Sequence, residues 1–446
     1  MNEAAVDPSH LLIQLEDILE SDPHIDEVGF IHPTQFAVFS EEVHSSPSSS
    51  FGANGSQLED ETSKSEPVRD HSSDTYFWHN DHKLGISTLV LVRLYRVAKD
   101  AFMDSYKRYR MLSNSQFKKN ERLDDNASMC STSFLDVAEI EVMRHSRALL
   151  LLSCDFGTAW NSRKLIVSKK PLFPMFMDEL LLSALVLSYS PKSERAWSHR
   201  RWVIKMIAGK CANLPEIVKR ESELVKKIVE NSKMNYRAWN HRCWLVSYMA
   251  ESQVLLELQS SRDWAALHVA DNSCFHYRAR LLAQMIENSR HNKDPDSGGE
   301  LRRIWKEELD WDAMLIRQYV GRESLWLHRR FLSLLWMKHL AIDDQSISSH
   351  SCSRSSEIWD LTMFIEDETM LFHSCIIIPD GEFGDYQAQA TFSATYITWL
   401  AKQMPMYFGV VLQESSQFAA LKQLLDQAGK SCLWDCANAS CGSLHV

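Results

Sequence analysis

The chain has no run of apolar residues long enough to cross a bilayer. Stretches such as Leu180–Leu182 and Ala184–Leu187, on either side of Ser183, are far short of the ~20 residues a spanning helix needs. Residues Met1 to His10 lack a basic segment followed by an apolar one, so no secretory leader is visible, and Ser443-Leu444-His445-Val446 is not a lipid-attachment box. Positive charge is also in short supply. Lys and Arg number 48 against 59 Asp and Glu, a net charge of −11, which argues against nonspecific binding to nucleic acid. The ten cysteines are irregularly spaced, and Cys154, Cys243 and Cys274 fall inside helical patterns. That suits free thiols in a reducing compartment rather than a disulfide framework. A cytoplasmic protein is the expectation. There is no glycine-rich phosphate loop, no paired-carboxylate arrangement and no nucleophile elbow, so no self-contained catalytic constellation stands out.

What the chain does have is a repeated pattern, an aromatic residue followed three positions later by arginine. It occurs at Trp160/Arg163, Trp197/Arg200, Trp239/Arg242, Phe275/Arg278 and Trp326/Arg329, in steps of 37, 42, 36 and 51 residues. A period near forty, with each copy closing on a helical pattern, predicts stacked helical hairpins. The hairpins are expected at Leu135–Ser153 with Thr158–Ser168, Met175–Ser188 with Glu194–Ala208, Pro215–Asn231 with Tyr236–Ala250, Ser252–Ala270 with Phe275–Glu287, and Leu301–Val320 with Ser324–His339. The longest step is explained by the polar loop 291–299, and a second polar insert spans Asp343 to Ser356. The fold class expected is all-α, a right-handed α–α superhelix forming a crescent solenoid.

Around the array, residues 1–40 hold a short amphipathic helix near 10–20 and an irregular packed segment at Pro23–Phe30. Glu41 to about Asp74 is rich in Ser, Pro, Gly and Asp and is expected to be disordered. Helical periodicity resumes over Leu84–Arg110, and Ser113–Ser133 reads as a loop. The repeat domain is placed at 76–411, with a helix at Ala388–Lys402 carrying Tyr396 and Trp399, and a helix and tail at 412–446. Ser190 before Pro191 and the run Asp271-Asn272-Ser273 supply helix-start signals.

Residues three apart share a helix face, so each indole and its arginine project together toward the next hairpin. The ring supplies apolar area and the guanidinium supplies planar, multi-donor bonding. The histidines of this pattern, His199, His241 and His328, lie about one repeat apart, too far to share a zinc ion through bonds of ~2 Å, and read as buried and hydrogen-bonded. Cys432, Cys436, Cys441 and His445 do not have a standard zinc spacing. No metal site is expected in this chain.

The segments SPKSERAWSHRRWVI (190–204), SKMNYRAWNHRCWLV (232–246) and DNSCFHYRARLL (271–282) resemble the protein prenyltransferase α-subunit repeat, over about residues 135–340. Pro23–Gly29 and WAALHVADNSCFHYR (264–278) are similar to a divergent branch of that family. There the α-like chain pairs with the Rab geranylgeranyltransferase β subunit in a type III geranylgeranyltransferase, whose substrates include a farnesylated SNARE. The resemblance implies a noncatalytic α-like subunit, inactive alone. Zinc and geranylgeranyl diphosphate would be held by the partner β subunit. A substrate cysteine, bound to zinc as thiolate, would attack the first carbon of the lipid as diphosphate departs.

By the same resemblance, Lys192 matches a lysine near the leaving diphosphate and Tyr236 a tyrosine at the peptide or diphosphate. Asn235 and Arg237 are placed with the substrate. This chain departs from the pattern at Glu194, where a tyrosine is usual, at Ser162 in the first copy and at Tyr277 in the fourth. A carboxylate at 194 would repel diphosphate unless it turns away. Two other readings remain: a helical-repeat scaffold without transferase activity, and a Rab geranylgeranyltransferase α subunit. Against the latter, no leucine-rich or sandwich domain is visible after the array.

Overall fold

In a computed structural model of the chain, the described residues are 7–36, 76–120, 128–291, 297–340, 353–378, 384–405 and 418–435. The Ser-rich stretch 41–74 lies outside them, as do Cys436, Cys441 and His445. The described residues form two compact units. One comprises Met1–Leu214 with Leu224–Ala238, the other Pro215–Glu223 with Trp239–Val446.

The first unit opens with α1 (Pro8–Ser21), capped by Asp7, whose carboxylate accepts the Ser9 N–H at 3.0 Å. Its apolar face, Leu11, Leu12, Leu15 and Leu19, is buried. A three-stranded sheet comes next: β1 (Glu27–Ile31), β2 (Phe77–Asn80) and β3 (Lys83–Ser87), in the order β1-β3-β2. β1 runs parallel to β3 and β2 antiparallel to it. The expectations of an irregular segment to Phe30 and of helix from Leu84 are both corrected here. Helical spacing beyond Leu84 is carried by residues from Leu91 on, whereas Lys83–Ser87 pairs on one side with Glu27–Ile31 and on the other, around a tight hairpin, with Phe77–Asn80. That hairpin turns on Asp81 and His82, both at positive φ (52° and 60°), the two-residue geometry whose twist matches paired strands. The sheet joins the helices through the Val28 N–H, which donates to Ser188 Oγ at 3.2 Å, and through Phe30 packed edge-on against Tyr189.

Helices fill the rest of this unit: α2 (Leu91–Asn120), α3 (Ser128–Leu152), α4 (Gly157–Lys169), α5 (Phe173–Tyr189) and α6 (Glu194–Ile207). α3 begins inside the stretch expected to be a loop up to Ser133. α7 (Leu214–Asn231) and α8 (Tyr236–Leu245) contribute residues to both units. The second unit continues with α9 (Glu251–Leu267), α10 (Asn272–His291), α11 (Ser297–Gln318), α12 (Glu323–Leu335), α13 (Ser353–Cys375), α14 (Gly384–Gln403) and α15 (Phe418–Gln427). The fold class is all-α, a succession of α–α hairpins. All five expected hairpins are present, each boundary lying within a few residues except where α3, α10 and α11 extend further. A sixth hairpin, α13/α14, comes after them.

Local chemistry sets the helix starts. Pro191 stands in a turn rather than in the helix, and the cap of α6 is Ser193, whose Oγ accepts the Ala196 N–H at 3.3 Å. Asp271 caps α10 by accepting the Ser273 N–H at 2.8 Å. No described helix is long and apolar enough to cross a membrane.

Candidate functional site

Every copy of the aromatic–arginine pair is buried at a junction between hairpins, and four of the five arginines are held in nearly the same way, while Arg242 donates to Glu257 instead. The Nη1 of Arg163, Arg200, Arg278 and Arg329 donates to the carbonyl twenty residues earlier, on Met143, Leu180, Leu258 and Leu309, at 2.5–2.7 Å. The first three also donate to a serine seventeen residues earlier: Ser146, Ser183 and Ser261. At the fifth copy that place holds Asp312, 3.6 Å from Arg329. The indoles are tied as well. Trp160 Nε1 donates to the Cys154 carbonyl and Trp197 Nε1 to the Pro191 carbonyl, at 2.8 and 3.0 Å.

A glutamate recurs through these junctions, buried at Glu179, Glu221, Glu308 and Glu368 and partly exposed at Glu257, a column that the sequence alone did not disclose. Glu179 takes Arg163 through Nε and Nη2 and His199 Nε2 at 2.7 Å. Glu308 takes Arg278 at 2.6 and 2.7 Å and His328 at 3.1 Å. Glu221 meets His241, while Glu257 accepts from Arg242 and from Tyr277, which stands in the histidine position. Glu368 binds Arg329 and Tyr396, carrying the pattern into the sixth hairpin. The signal that could have found the column is a glutamate twenty residues before each His or Tyr from 199 to 328.

The electrostatics are set by burial. Desolvation alone would raise the carboxyls of Glu179 and Glu308, but the guanidinium and imidazole N–H groups outweigh it and hold both at about 2. Burial lowers His199 and His328. Both imidazoles are therefore neutral Nε2–H donors, and their Nδ1 atoms face no hydrogen-bond partner. A histidine whose one proton is committed to a glutamate in this way is part of the architecture.

The sequence-derived functional set lies together at one edge of the first unit. Pro191 and Lys192 form the turn before α6, and Asn235 caps α8, its Oδ1 accepting the Ala238 N–H at 3.2 Å. Asn235 Nδ2 donates to the Pro191 carbonyl at 2.8 Å, so that one carbonyl receives both Trp197 and Asn235. This bond sets the two turns side by side. Lys192 comes directly after Pro191, Tyr236 directly after Asn235, and both side chains are exposed. Lys192 has no ion-pair partner among the described residues, whereas Asn235 is 1% exposed and both ends of its amide are engaged. Asn235 thus acts on the site through the backbone it fixes, and its amide is not offered to a ligand.

Glu194, the residue expected to repel an anion, is paired with Arg237 and with Arg201, at 3.0 Å in the latter case. Its charge is neutralised within the protein, and the exposed edge stays cationic. Tyr236 lies against the Arg237 guanidinium, 5.6 Å from ring centroid to Cζ. A separate cavity of about 450 Å³ opens between α1, the first hairpin and α5. It touches the junctions only through the clasp arginine Arg163 and its carbonyl partner Met143, and its Arg144 and Lys170 are paired with its own Glu16 and Glu139.

A family model described as "Protein prenyltransferase alpha subunit repeat" matches residues 176–207, 218–249 and 305–335, which are the second, third and fifth hairpins. The copies with Ser162 and Tyr277 in the histidine position fall outside those matches. Among curated proteins, the chain is 31% identical over 275 residues to protein prenyltransferase alpha subunit repeat-containing protein 1-B of Xenopus laevis, covering 52% of this chain and 63% of that one. It is 33% identical over 228 residues to the corresponding protein 1 of Danio rerio, covering 42% and 53%. A weaker likeness, 28% over 202 residues, is to geranylgeranyl transferase type-2 subunit alpha of Sus scrofa. The matched region thus spans less than two thirds of the first two relatives.

Proposed function

From a chain that carries protein prenyltransferase alpha subunit repeats, we propose an α-like, noncatalytic subunit of a protein geranylgeranyltransferase, inactive alone and completed by a β subunit of the Rab geranylgeranyltransferase type. The protein substrate would present a C-terminal cysteine, a farnesylated SNARE among the candidates. The observation that carries this reading is the exposed edge at Lys192 and Tyr236. Two buried donors converging on the Pro191 carbonyl hold that edge in place, and an internal Glu194–Arg237–Arg201 cluster leaves Lys192 free.

Zinc and the isoprenoid diphosphate are assigned to the partner, where the metal would hold the substrate cysteine as thiolate. Among the described residues of this chain no group of His, Cys, Asp and Glu is arranged to hold a metal. The sulfur attacks the first carbon of the lipid, the carbon–oxygen bond breaks, and diphosphate leaves. Lys192 would contribute a fixed cation where negative charge grows on the leaving oxygens. A preorganised donor of this kind is worth on the order of 10²–10³ in rate. Tyr236, exposed beside it, would contact the peptide or the diphosphate.

The test is lipid transfer by this chain co-expressed with the β subunit, with zinc present and then chelated. Transfer should need both chains and zinc. Lys192→Ala should lower turnover while the complex remains intact. An unchanged rate would return Lys192 to the role of a solvated turn residue, and the absence of transfer from an intact complex would favour a helical-repeat scaffold.

A further inference from the structure

The long helix α2 presents a surface that the proposed transferase role does not use. Its inner face, Leu94, Ala98, Phe102, Ser105 and Tyr109, is fully buried. Its outer face carries Arg93, Arg96, Lys99, Lys107 and Arg110, all exposed and without ion-pair partners among the described residues. Arg108 alone on this face is paired, with Glu141 at 3.0 Å. Over Leu91–Asn120 there are eight Lys and Arg against two acids, Asp100 and Asp104, in a chain whose total is 48 against 59. Between the cations stand exposed apolar side chains: Val92 at 63%, Met103 at 41% and Met111 at 58%, with Leu89 at 58% just before the helix.

We propose that this outer face of α2 rests on an anionic lipid surface, its cations among the headgroups and Leu89, Val92, Met103 and Met111 at the acyl boundary. Three features favour a lipid surface over an acidic protein or a nucleic acid. The cations are strung along a line of roughly 26 Å at 1.5 Å per residue, rather than gathered where a fixed set of carboxylates could dock. None of them lines the cavity beside α1, as small-molecule recognition would call for. The apolar residues set among them add nothing to phosphate contacts along a duplex, yet an interfacial helix needs them. The inner face locks the helix in the core, so it binds as a preformed surface. The proposal is independent of the transferase reading.

The experiment is sedimentation of the full chain with vesicles of phosphatidylcholine, with and without about one third phosphatidylserine, at low and high salt. Binding is expected only to the anionic vesicles and should weaken with salt. Each lost cation should reduce partitioning about fivefold, so neutralising three of them in Arg96→Gln/Lys99→Gln/Lys107→Gln should reduce it roughly a hundredfold. Met103→Ser/Met111→Ser should also weaken it, with the far-UV circular dichroism of both variants unchanged. The proposal is overturned if folded wild-type protein ignores anionic vesicles, or if either variant partitions like wild type. It is likewise overturned if polyglutamate or duplex DNA binds this face and vesicles do not.

Discussion

Glu308→Gln is the sharpest probe of the junctions. The carboxylate is 3% exposed and accepts Arg278 Nε and Nη2 at 2.7 and 2.6 Å and His328 Nε2 at 3.1 Å. Glutamine has the same shape but no charge, and its amide nitrogen would face guanidinium donors. Arg278, itself 1% exposed, would keep only the neutral Leu258 carbonyl and Ser261 hydroxyl. Removing one member of a buried ion pair typically costs about 3–5 kcal/mol. For a unit of about two hundred residues that corresponds to a melting temperature lower by roughly 6–20 °C. Differential scanning calorimetry reads this directly. Glu257→Gln is the internal comparison: its carboxylate is 18% exposed and bonds Arg242 through one nitrogen, so the loss should be smaller, about 1–2 kcal/mol. Replacing Glu308 and Arg278 together with apolar residues should recover much of the loss, because an apolar pair leaves no orphaned charge. If Glu308→Gln melts with the wild type, the junctions are not held by these ion pairs.

Acid should unfold the chain in two windows. His328 and His199 have folded pKa values below their ordinary one, so their contribution is complete above about 6.5 and is lost as pH falls through the folded values. Glu179 and Glu308, at about 2 when folded against 4.5 otherwise, contribute above 4.5 and lose that contribution as pH falls toward 2. Melting temperature measured from pH 8 to pH 3 should therefore fall in both windows, and a flat profile would contradict the assignment. Tyr236→Ala, at a side chain 63% exposed, should leave stability within about 0.5 kcal/mol while lowering transfer by the proposed two-chain complex. Asn235→Ala should do the reverse first, costing about 0.5–2 kcal/mol for the lost cap, read by urea denaturation. Burial pushes the thiols of Cys243 and Cys274 to about 11 and about 12, so iodoacetamide at neutral pH should label exposed Cys432 and spare these two until the chain unfolds.

The hairpins were legible because their signal is local and repeated. Trp197 and Arg200 sit three apart on one helix face, and the same pair returns at each later copy. The glutamate column was not, because a Glu inside an amphipathic helix such as α11 looks like any solvated acid until the fold places it, as it does Glu308, beside an arginine from the preceding hairpin. The sheet was missed for a related reason. Leu84 satisfies a helical spacing with Leu91, Leu94 and Ala98, and the parallel partner that makes it part of a strand lies more than fifty residues earlier, at Val28. At the candidate edge, the motif located Lys192, Asn235, Tyr236 and Arg237 together. Only coordinates separated the exposed pair from Asn235, whose amide is engaged internally, or revealed that Arg201 and Arg237 neutralise Glu194.

The most direct measurement on the proposed role is the mass, by size-exclusion chromatography with light scattering, of this chain co-expressed with a Rab-type geranylgeranyltransferase β subunit. A one-to-one complex that survives dilution and shows zinc-dependent lipid transfer is the expected result. Two chains that elute apart, with no transfer when mixed, would contradict it.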